Sequence, residues 1–429
     1  MKYAFAACFL LILLGIRIFS YQHHNVSNYA DGQFLAFETT LQKEPQKTGA
    51  YQTFYANAGD NGETQEILIK TSKFPEFHYG STVRVSGTIK RQVLKKDEIV
   101  IAMFFPKIEA VQNREKNGFS LIKNVLALTS FIRQKVTSLF QETLPPTSSS
   151  LLLGIVFGFK ESLPRDLAVS LKTVGVVHVI AASGMNVTLV ASFLAGIFTI
   201  FFKRQIALFL CILGICFYAL LAGLEASIVR ASIMGVIVFS AQILGRQTLA
   251  IYSLGVAGYL MILISPDIIS DLGFQLSFTS TLGILYLKPL FGKKELLLID
   301  DVKTTVSAQI ATFPILFFTF GTYSFWSIIV NGLLLWTIPI LMVLGGLGAI
   351  CGAVFEPLGK VFLYLSLPFL ILFEKTAEFF SNLPGLINLG LDNSEIIIPW
   401  QLGVGYYLVL IAMIIFLYKR RNRNMNRLP

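Results

Sequence analysis

The sequence predicts an α-helical polytopic membrane protein with a small β-domain near its N-terminus, and three observations support this class. The chain of 429 residues is 54% hydrophobic and only 14% charged, whereas soluble domains carry about 25% charged residues. Its mean hydropathy is +0.66, and apolar stretches of the roughly 17 to 25 residues that cross a bilayer recur through the second half. Residues 27–112 instead alternate polar and apolar side chains, which is typical of β-strands.

The N-terminal segment, residues 1–26, is predicted to be a membrane anchor. Residues 3–16 are apolar and follow Lys2. No small-residue cleavage site is clear before Tyr21, which favours an uncleaved anchor over a cleaved signal peptide.

The second segment, residues 27–112, is predicted to be a small β-barrel or sandwich outside the cytoplasm. Alternating runs such as "STVRVSGTIKRQ" (81–92) and "EIVIAMFFPKIE" (98–109) are separated by turn signals, including "GDNG" (59–62). Residues 27–116 hold twelve Lys or Arg and eleven Asp or Glu. The near-zero balance means that this domain lacks the strong positive charge typical of nucleic-acid-binding domains.

Residues 113–175 are predicted to form amphipathic, interfacial and re-entrant helices. Apolar positions recur at helical spacing from 118 to 144, which indicates either a helix on the membrane surface or one packed on the β-domain. The run "LLLGIVFGF" (151–159) is too short to span a bilayer. It is therefore interpreted as a re-entrant or interfacial piece.

Residues 176–418 form the predicted membrane domain, followed by a basic tail at 419–429. The apolar pattern divides into nine spans, at 176–201, 205–222, 225–244, 248–264, 272–288, 306–324, 327–353, 357–373 and 400–418. With the C-terminus in the cytoplasm, most basic loop residues fall on the cytoplasmic side and the acidic ones opposite, as the positive-inside rule predicts. The β-domain then lies outside. The terminal basic cluster also explains much of the net charge of +10 as a topology signal rather than a nucleic-acid signal.

Polar residues inside these spans are the candidate functional residues, because polar groups at membrane depth usually face a protein interior or a water-filled cavity. The segment "VVHVIAASGMNVTLV" (176–190) combines several of them, and Arg230 is the charged member. We expect a shared hydrophilic interior, with a tightly packed helix crossing as the alternative. The candidate residues are His178, Ser183, Gly184, Asn186, Arg230, Gln275, Ser277, Gln309 and Asn331.

Catalysis is not expected. The "AASGMN" segment superficially resembles the nucleophile segment of rhomboid proteases, but His178 and Ser183 project about 140° apart on one continuous helix. No helix carries a His/Glu metal pair, and no glycine-rich loop precedes a Lys-Ser/Thr pair. The four cysteines lie in apolar segments without metal-ligand spacing. We therefore expect no catalytic residues, no metal and no cofactor.

Four segments, in chain order, resemble the ComEC family of bacterial competence proteins. They are "HVIAASGMNVTLV", "GLEASIVRASIM", "GFQLSFTSTLGIL" and "AQIATFPILFFTFGTYSFWSIIVNGLLLWTIPIL". The resemblance covers roughly residues 147 to 350, and the β-domain resembles the OB-like N-terminal domain of the family. The expected fold is thus an α-helical polytopic membrane protein, with about nine core spans plus one N-terminal anchor and a small extracytoplasmic OB-like β-barrel domain.

The resemblance implies a channel that passes single-stranded DNA across the bacterial cytoplasmic membrane during natural transformation. It implies a surface DNA receptor and a cytosolic ATPase or helicase as partners, beside membrane lipids. It also implies that the nine candidate residues are pore-lining or pore-shaping. In the OB-like domain, Tyr51, Phe54 and Tyr55 are candidates for stacking on DNA bases, although the low charge favours a core role for them.

Two alternatives remain open at this stage. The same polar interior suits a permease for a small or lipid-linked solute, and a non-transporting membrane scaffold of an uptake complex is the other alternative. The sequence also contains no HxHxDH-type metal motif of the metallo-β-lactamase-like domain that ends many family members. We therefore expect a short form whose nuclease activity, if needed, comes from elsewhere, or else a truncated product.

Overall fold

The computed structural model divides into two compact units, Met1–Ser138 and Leu139–Pro429. Each unit is described by itself. The structure describes residues 13–15, 17, 31–41, 45–48, 51–60, 63–72, 74–75, 77, 81–94, 98–110, 121–159, 163–176, 183–292, 297–320, 322–324, 326–383, 386–388 and 400–425.

The first unit contains one curled sheet of seven strands with the order β1-β5-β6-β4-β3-β2, and β7 also pairs with β5. The strands are β1 Phe34–Thr40, β2 Gln46–Thr48, β3 Tyr51–Asp60, β4 Glu63–Ser72, β5 Thr82–Leu94, β6 Glu98–Phe104 and β7 Lys107–Ala110. Only β4 and β6 run parallel among the described pairs. The sheet forms a half-barrel, which confirms the predicted β-domain, while its OB-like nature stays a prediction.

The curl of the sheet is built around β5. Its first half pairs with β1 and β7, and its second half pairs with β6. Between β6 and β7, Phe105 takes a positive φ of 51°. A β-carbon on Gly87 would lie 2.9 Å from that of Pro106. Position 87 of β5 therefore needs a glycine, because the segment between β6 and β7 approaches it closely.

The core of the sheet follows from the alternation seen in the sequence. Successive side chains of a strand point to opposite faces, and one face of β3 to β6 is apolar. The buried cluster comprises Leu41, Phe54, Ala56, Ala58, Ile67, Ile69, Phe77, Val83, Val85, Ile89, Ile101 and Met103.

In its described residues, the second unit is helical apart from one short antiparallel strand pair, β8 Thr322–Ser324 with β9 Leu386–Asn388. The helices, the first of which begins in the first unit, are α1 Leu121–Thr143, α2 Pro146–Phe157, α3 Arg165–Thr173, α4 Gly184–Phe201, α5 Arg204–Leu221, α6 Ala226–Ile243, α7 Ala250–Ile264, α8 Leu272–Leu287, α9 Leu297–Phe320, α10 Trp326–Leu334, α11 Thr337–Val354, α12 Glu356–Ser381 and α13 Trp400–Met425. Short 3-10 turns at Pro266–Ser270 and Lys288–Phe291 flank α8.

Among the described residues, six helices are long and apolar enough to cross a membrane, namely α4, α5, α6, α11, α12 and α13. The chain is therefore a multi-pass membrane protein. Helices α2 and α7 are apolar but shorter. The predicted count of nine core spans and the N-terminal anchor stay predictions.

The predicted span 327–353 is divided in the structure into α10 and α11. Pro339 has no N–H to offer the carbonyl of Leu335, four residues earlier, and its ring would clash with that carbonyl in a continuous helix. The Leu335 carbonyl instead accepts from the Ile338 amide at 3.2 Å, in a tighter turn. The break between the two helices follows from this proline.

Helix α2, which overlaps the predicted 151–159 segment, lies in the interior of its unit from Ser148 onward. Every residue from Ser148 to Phe157 is buried. A β-carbon on Gly345 of α11 would lie 2.7 Å from the Val156 side chain, so the two helices pack closely. An interfacial helix keeps one face exposed, whereas the stretch from Ser148 to Phe157 has no exposed face within its unit. Whether the helix is interfacial or re-entrant stays a prediction.

Candidate functional site

The start of α4 carries several of the polar residues that the sequence predicts to be functional. Ser183 is extended, with φ −108° and ψ 169°, and Gly184 opens the helix. The Ser183 hydroxyl lies 3.2 Å from Oδ1 of Asn186 and does not cap the helix. Because Ser183 is extended, the helix begins at Gly184, and its first amide groups have no partner within the helix.

Arg230 lies inside the unit, on the second turn of α6. The residue is only 7% exposed. Its Nη1 donates to two oxygens of α8, the Ser277 carbonyl and the Thr281 hydroxyl. The guanidinium carbon lies 5.9 Å from the centre of the Phe278 ring. Arg230 is thus a buried cation fixed to α8.

Gly184 and Arg230 are in direct contact. A β-carbon on Gly184 would lie 2.9 Å from Nη2 of Arg230 and 3.4 Å from the Ala231 side chain. Next to them, the Ser277 hydroxyl donates to the Ser227 hydroxyl at 3.2 Å. Residues from three separate sequence segments therefore form one cluster, which we call the Arg230 cluster: Ser183, Gly184, Ser227, Arg230, Ser277 and Thr281.

Asn186, in the first turn of α4, makes a separate contact with the end of α2. It is 1% exposed, and its Nδ2 donates to the Ile155 carbonyl at 2.7 Å. The Tyr218 hydroxyl of α5 donates to the next carbonyl, that of Val156, at 2.8 Å. Because the last carbonyls of a helix have no partner within it, these two side chains complete the C-terminal end of α2.

Two of the predicted amides form a second, separate cluster. Nε2 of Gln309 on α9 donates to the Ser327 hydroxyl at 2.8 Å, and Nδ2 of Asn331 reaches the same hydroxyl at 3.3 Å. Asn331 is 1% exposed, and its Oδ1 has no hydrogen-bond partner among the described residues. This cluster links α9 to α10.

Gln275 joins neither cluster. Its Nε2 donates to the Ile269 carbonyl at 2.9 Å, in the 3-10 turn that precedes α8. His178 lies outside the described residues. The structure thus brings together Ser183, Gly184, Arg230 and Ser277, with Asn186 beside them.

Several contributors to these contacts were not predicted from the sequence. Thr281, Tyr218 and Ser327 each supply a hydroxyl. For Thr281 a signal existed, because it lies four residues after Ser277 and so shares its helix face. Tyr218 and Ser327 had no comparable signal, since their partners lie on other helices.

The three aromatic residues proposed for DNA stacking differ in exposure. Tyr51 and Tyr55 are 41% and 44% exposed, on the outer face of β3. Lys70 lies 4.8 Å from the centre of the Tyr51 ring, and the Phe105 ring packs on its edge at 5.6 Å. Phe54 is 3% exposed and packs on Phe77 in the core, so its ring is not available for stacking. The core interpretation fits Phe54 and does not fit Tyr51 and Tyr55.

The fold and the Arg230 cluster define a class: a multi-pass membrane protein with a buried cation and hydroxyl groups between its helices. The family model for competence proteins matches residues 155–421. The chain therefore belongs to the ComEC family of competence proteins, as its motifs predicted. It is 24% identical over 207 residues to the ComE operon protein 3 of Bacillus subtilis (strain 168), a match that covers 47% of this chain and 26% of that protein. No solved structure matches the chain.

Proposed function

We propose that the chain is a DNA uptake channel that moves single-stranded DNA across the bacterial cytoplasmic membrane during natural transformation. It would receive the strand from a surface DNA receptor and work with a cytosolic ATPase or helicase. Membership of the family supports a role in competence. The match covers only 26% of the Bacillus subtilis relative. Activity, substrate and partners are accordingly part of the proposal.

The Arg230 cluster is the observation that carries the proposal. A charged side chain at membrane depth is costly and is usually retained for a function that involves ions or polar substrates. Arg230 is buried where three segments typical of the family meet, and no salt bridge neutralises it within the part of the chain that the structure describes. A strand with one negative charge per nucleotide is a substrate that fits an uncompensated cation.

The composition of the cluster also suits passage rather than capture. Apart from Arg230, its polar groups are hydroxyls and backbone groups, which hydrogen-bond without a fixed charge. Conduction requires binding that is favourable enough for entry and weak enough for release. One cation among neutral groups meets both needs, whereas a row of arginines would hold a polyanion in place. We accordingly propose transport without catalysis, metal or cofactor.

The proposal includes an orientation. Basic residues of the connecting segments and of the tail 419–429 would face the cytoplasm, as the positive-inside rule predicts, and the β-domain would face outward. There the exposed rings of Tyr51 and Tyr55, beside Lys70, would offer stacking surfaces to an incoming strand.

The proposal predicts that Arg230→Gln abolishes most DNA uptake. A competent strain without its own channel gene would be complemented with the wild-type chain, with Arg230→Gln or with Arg246→Gln, and transformants would be counted. Arg246 is exposed just beyond α6, which makes it a matched control. We expect a loss of at least about a hundredfold for Arg230→Gln, comparable to the loss of about 3 kcal/mol when a key charged contact is removed, and no change for Arg246→Gln.

Equal protein levels in the membrane must be verified by immunoblot. Normal transformation by Arg230→Gln would remove the Arg230 cluster from the mechanism. If polar-to-apolar changes in both clusters also left uptake intact, a non-transporting scaffold would be the better proposal. A chain that moved a small solute but no oligonucleotide into liposomes would instead favour a permease.

A further inference from the structure

The guanidinium of Arg230 has one hydrogen-bonded edge and one edge without a hydrogen-bond partner among the described residues, which we call the open edge. Nη1 is engaged by the Ser277 carbonyl and the Thr281 hydroxyl. Nε is buried and has no hydrogen-bond partner among the described residues. Nε and Nη2 together form the side of an arginine that binds two oxygens of one phosphate or carboxylate in a bidentate fork.

The open edge faces the start of α4. The 2.9 Å between Nη2 and a β-carbon on Gly184 means that any side chain at position 184 would occupy the space beside the fork. The Asn186 amide is bonded to the Ser183 carbonyl at 3.1 Å, and the Ser183 side chain caps nothing. The amides of Gly184 and Met185 are therefore the donors that begin this helix of 18 residues.

These two groups carry charge of the same sign. The N-terminus of a helix bears a partial positive charge, and Arg230 adds a full one. No carboxylate pairs with Arg230 among the described residues, and the sequence from 177 to 182, which lies outside them, contains neither Asp nor Glu. Two positive groups this close to each other inside a protein are unfavourable until one anion binds to both of them.

We propose that the open edge of Arg230 and the first amides of α4 form a seat for one backbone phosphate of a DNA strand. The inference rests on the proposed function and names the chemical group that the Arg230 cluster recognises. Contacts to phosphate alone carry no base preference, which suits a channel for DNA of any sequence. Gly184 keeps the seat open.

The test is an oligonucleotide-binding titration with the full-length chain, purified in a detergent free of phospholipid. The probe is a fluorescent oligothymidylate of about 15 nucleotides, near the upper end of single-strand site sizes. We expect Arg230→Gln to weaken its binding by about fivefold or more and to reduce the salt slope by about 0.7, the value for one phosphate contact on a single strand. Gly184→Ala should weaken binding as well, because its methyl group enters the seat, whereas Arg246→Gln should not.

A second probe keeps the test independent of folding defects. A methylphosphonate oligonucleotide of the same length has a neutral backbone, so Arg230→Gln should not change its affinity. A variant that lost affinity for both probes equally would contradict the seat. So would unchanged binding of the charged probe by both Arg230→Gln and Gly184→Ala, or complete displacement of this probe by phosphatidylglycerol, which would assign the site to a lipid headgroup.

The two proposals fail in different ways. Loss of transformation by Arg230→Gln together with unaltered oligonucleotide binding would overturn the phosphate seat and leave the channel. A wild-type chain that bound the charged probe through Arg230, yet never restored transformation, would overturn the channel and leave the seat.

Discussion

At the scale of single residues, Tyr406 shows how the helical unit tolerates a proline within a helix. Pro314 lies inside α9 and cannot donate to the Ile310 carbonyl, four residues earlier. The Tyr406 hydroxyl of α13 donates to that same carbonyl at 2.9 Å, and the Tyr407 hydroxyl donates to the next one, Ala311, at 2.9 Å. Helix α13 therefore supplies the hydrogen bond that the proline removes.

Removing the Tyr406 hydroxyl should weaken the association of α13 with α9. Because an unpaired carbonyl in an apolar surrounding is unfavourable, Tyr406→Phe should lower the free energy of unfolding by about 1 kcal/mol, within the range of hydrogen bonds in membrane proteins. Thermal unfolding in detergent measures the change. Tyr252→Phe is the control, since its ring is 70% exposed; an equal effect of both variants would contradict the assigned role.

The burial of Arg230 could be anticipated from the sequence, whereas the local hydrogen bond of Gln275 could not. The burial of a lone cation in an apolar run is costly wherever it occurs, so its presence indicates an interior site without knowledge of the fold. An amide carries no such requirement. Gln275 satisfies its side chain locally, at the Ile269 carbonyl, and the position of the turn before α8 could not be derived from spacing alone.

At the scale of helices, α11 and α12 cross with backbone directly against backbone. A β-carbon on Gly359 would lie 2.5 Å from the Gly352 α-carbon and 2.8 Å from the Gly348 carbonyl oxygen. Small residues permit such approach between membrane helices, where van der Waals packing drives association. Backbone cannot move aside as a flexible side chain can.

Gly359→Ala should therefore separate α11 from α12. The expected loss is about 1 to 3 kcal/mol of stability, the usual range for overpacking, seen as a lower melting temperature in detergent. Gly346→Ala on α11 is the matched control, because a β-carbon there meets nothing within 4 Å. A melting temperature unchanged by Gly359→Ala would mean that the two helices are free to separate at no cost.

Helix boundaries were predicted less well than helix existence. The apolar pattern runs unbroken through 327–353, and hydropathy does not register the missing donor of Pro339. The same pattern gave no sign that α2 lies in the interior, because an apolar run of its length is compatible with burial against protein or against lipid.

At the scale of the whole molecule, the membrane class and the β-domain followed from composition and periodicity, which are averages over many residues. The contact of Gly184 with Arg230 did not, because it depends on how α4 packs on α6, 46 positions later in the sequence. Both residues were predicted as candidates from the sequence, but their contact was not.

A channel requires that the Arg230 cluster reach water in some state. In a chain whose cysteines are replaced by alanine, Ser183→Cys and Ser277→Cys should react with a membrane-impermeant thiol reagent, and single-stranded DNA should slow the reaction. Leu408→Cys, on the exposed face of α13, is the control that stays unlabelled in lipid. Labelling is read by a mass shift on a gel. If neither cysteine variant reacted with the reagent from either side of the membrane, the helices would form a bundle without a water-filled path, which would contradict the channel.

The burial of α2 limits when the helical unit can fold during synthesis of the protein. Ser148 at its beginning donates to the Glu374 carboxylate of α12 at 2.8 Å, across 226 positions of the chain. At roughly 5 to 20 residues per second, the ribosome needs on the order of 10 to 45 s to produce that partner. Until then α2 has left the ribosome without the helices that enclose it, so the bundle can close only after most of the polypeptide has been translated.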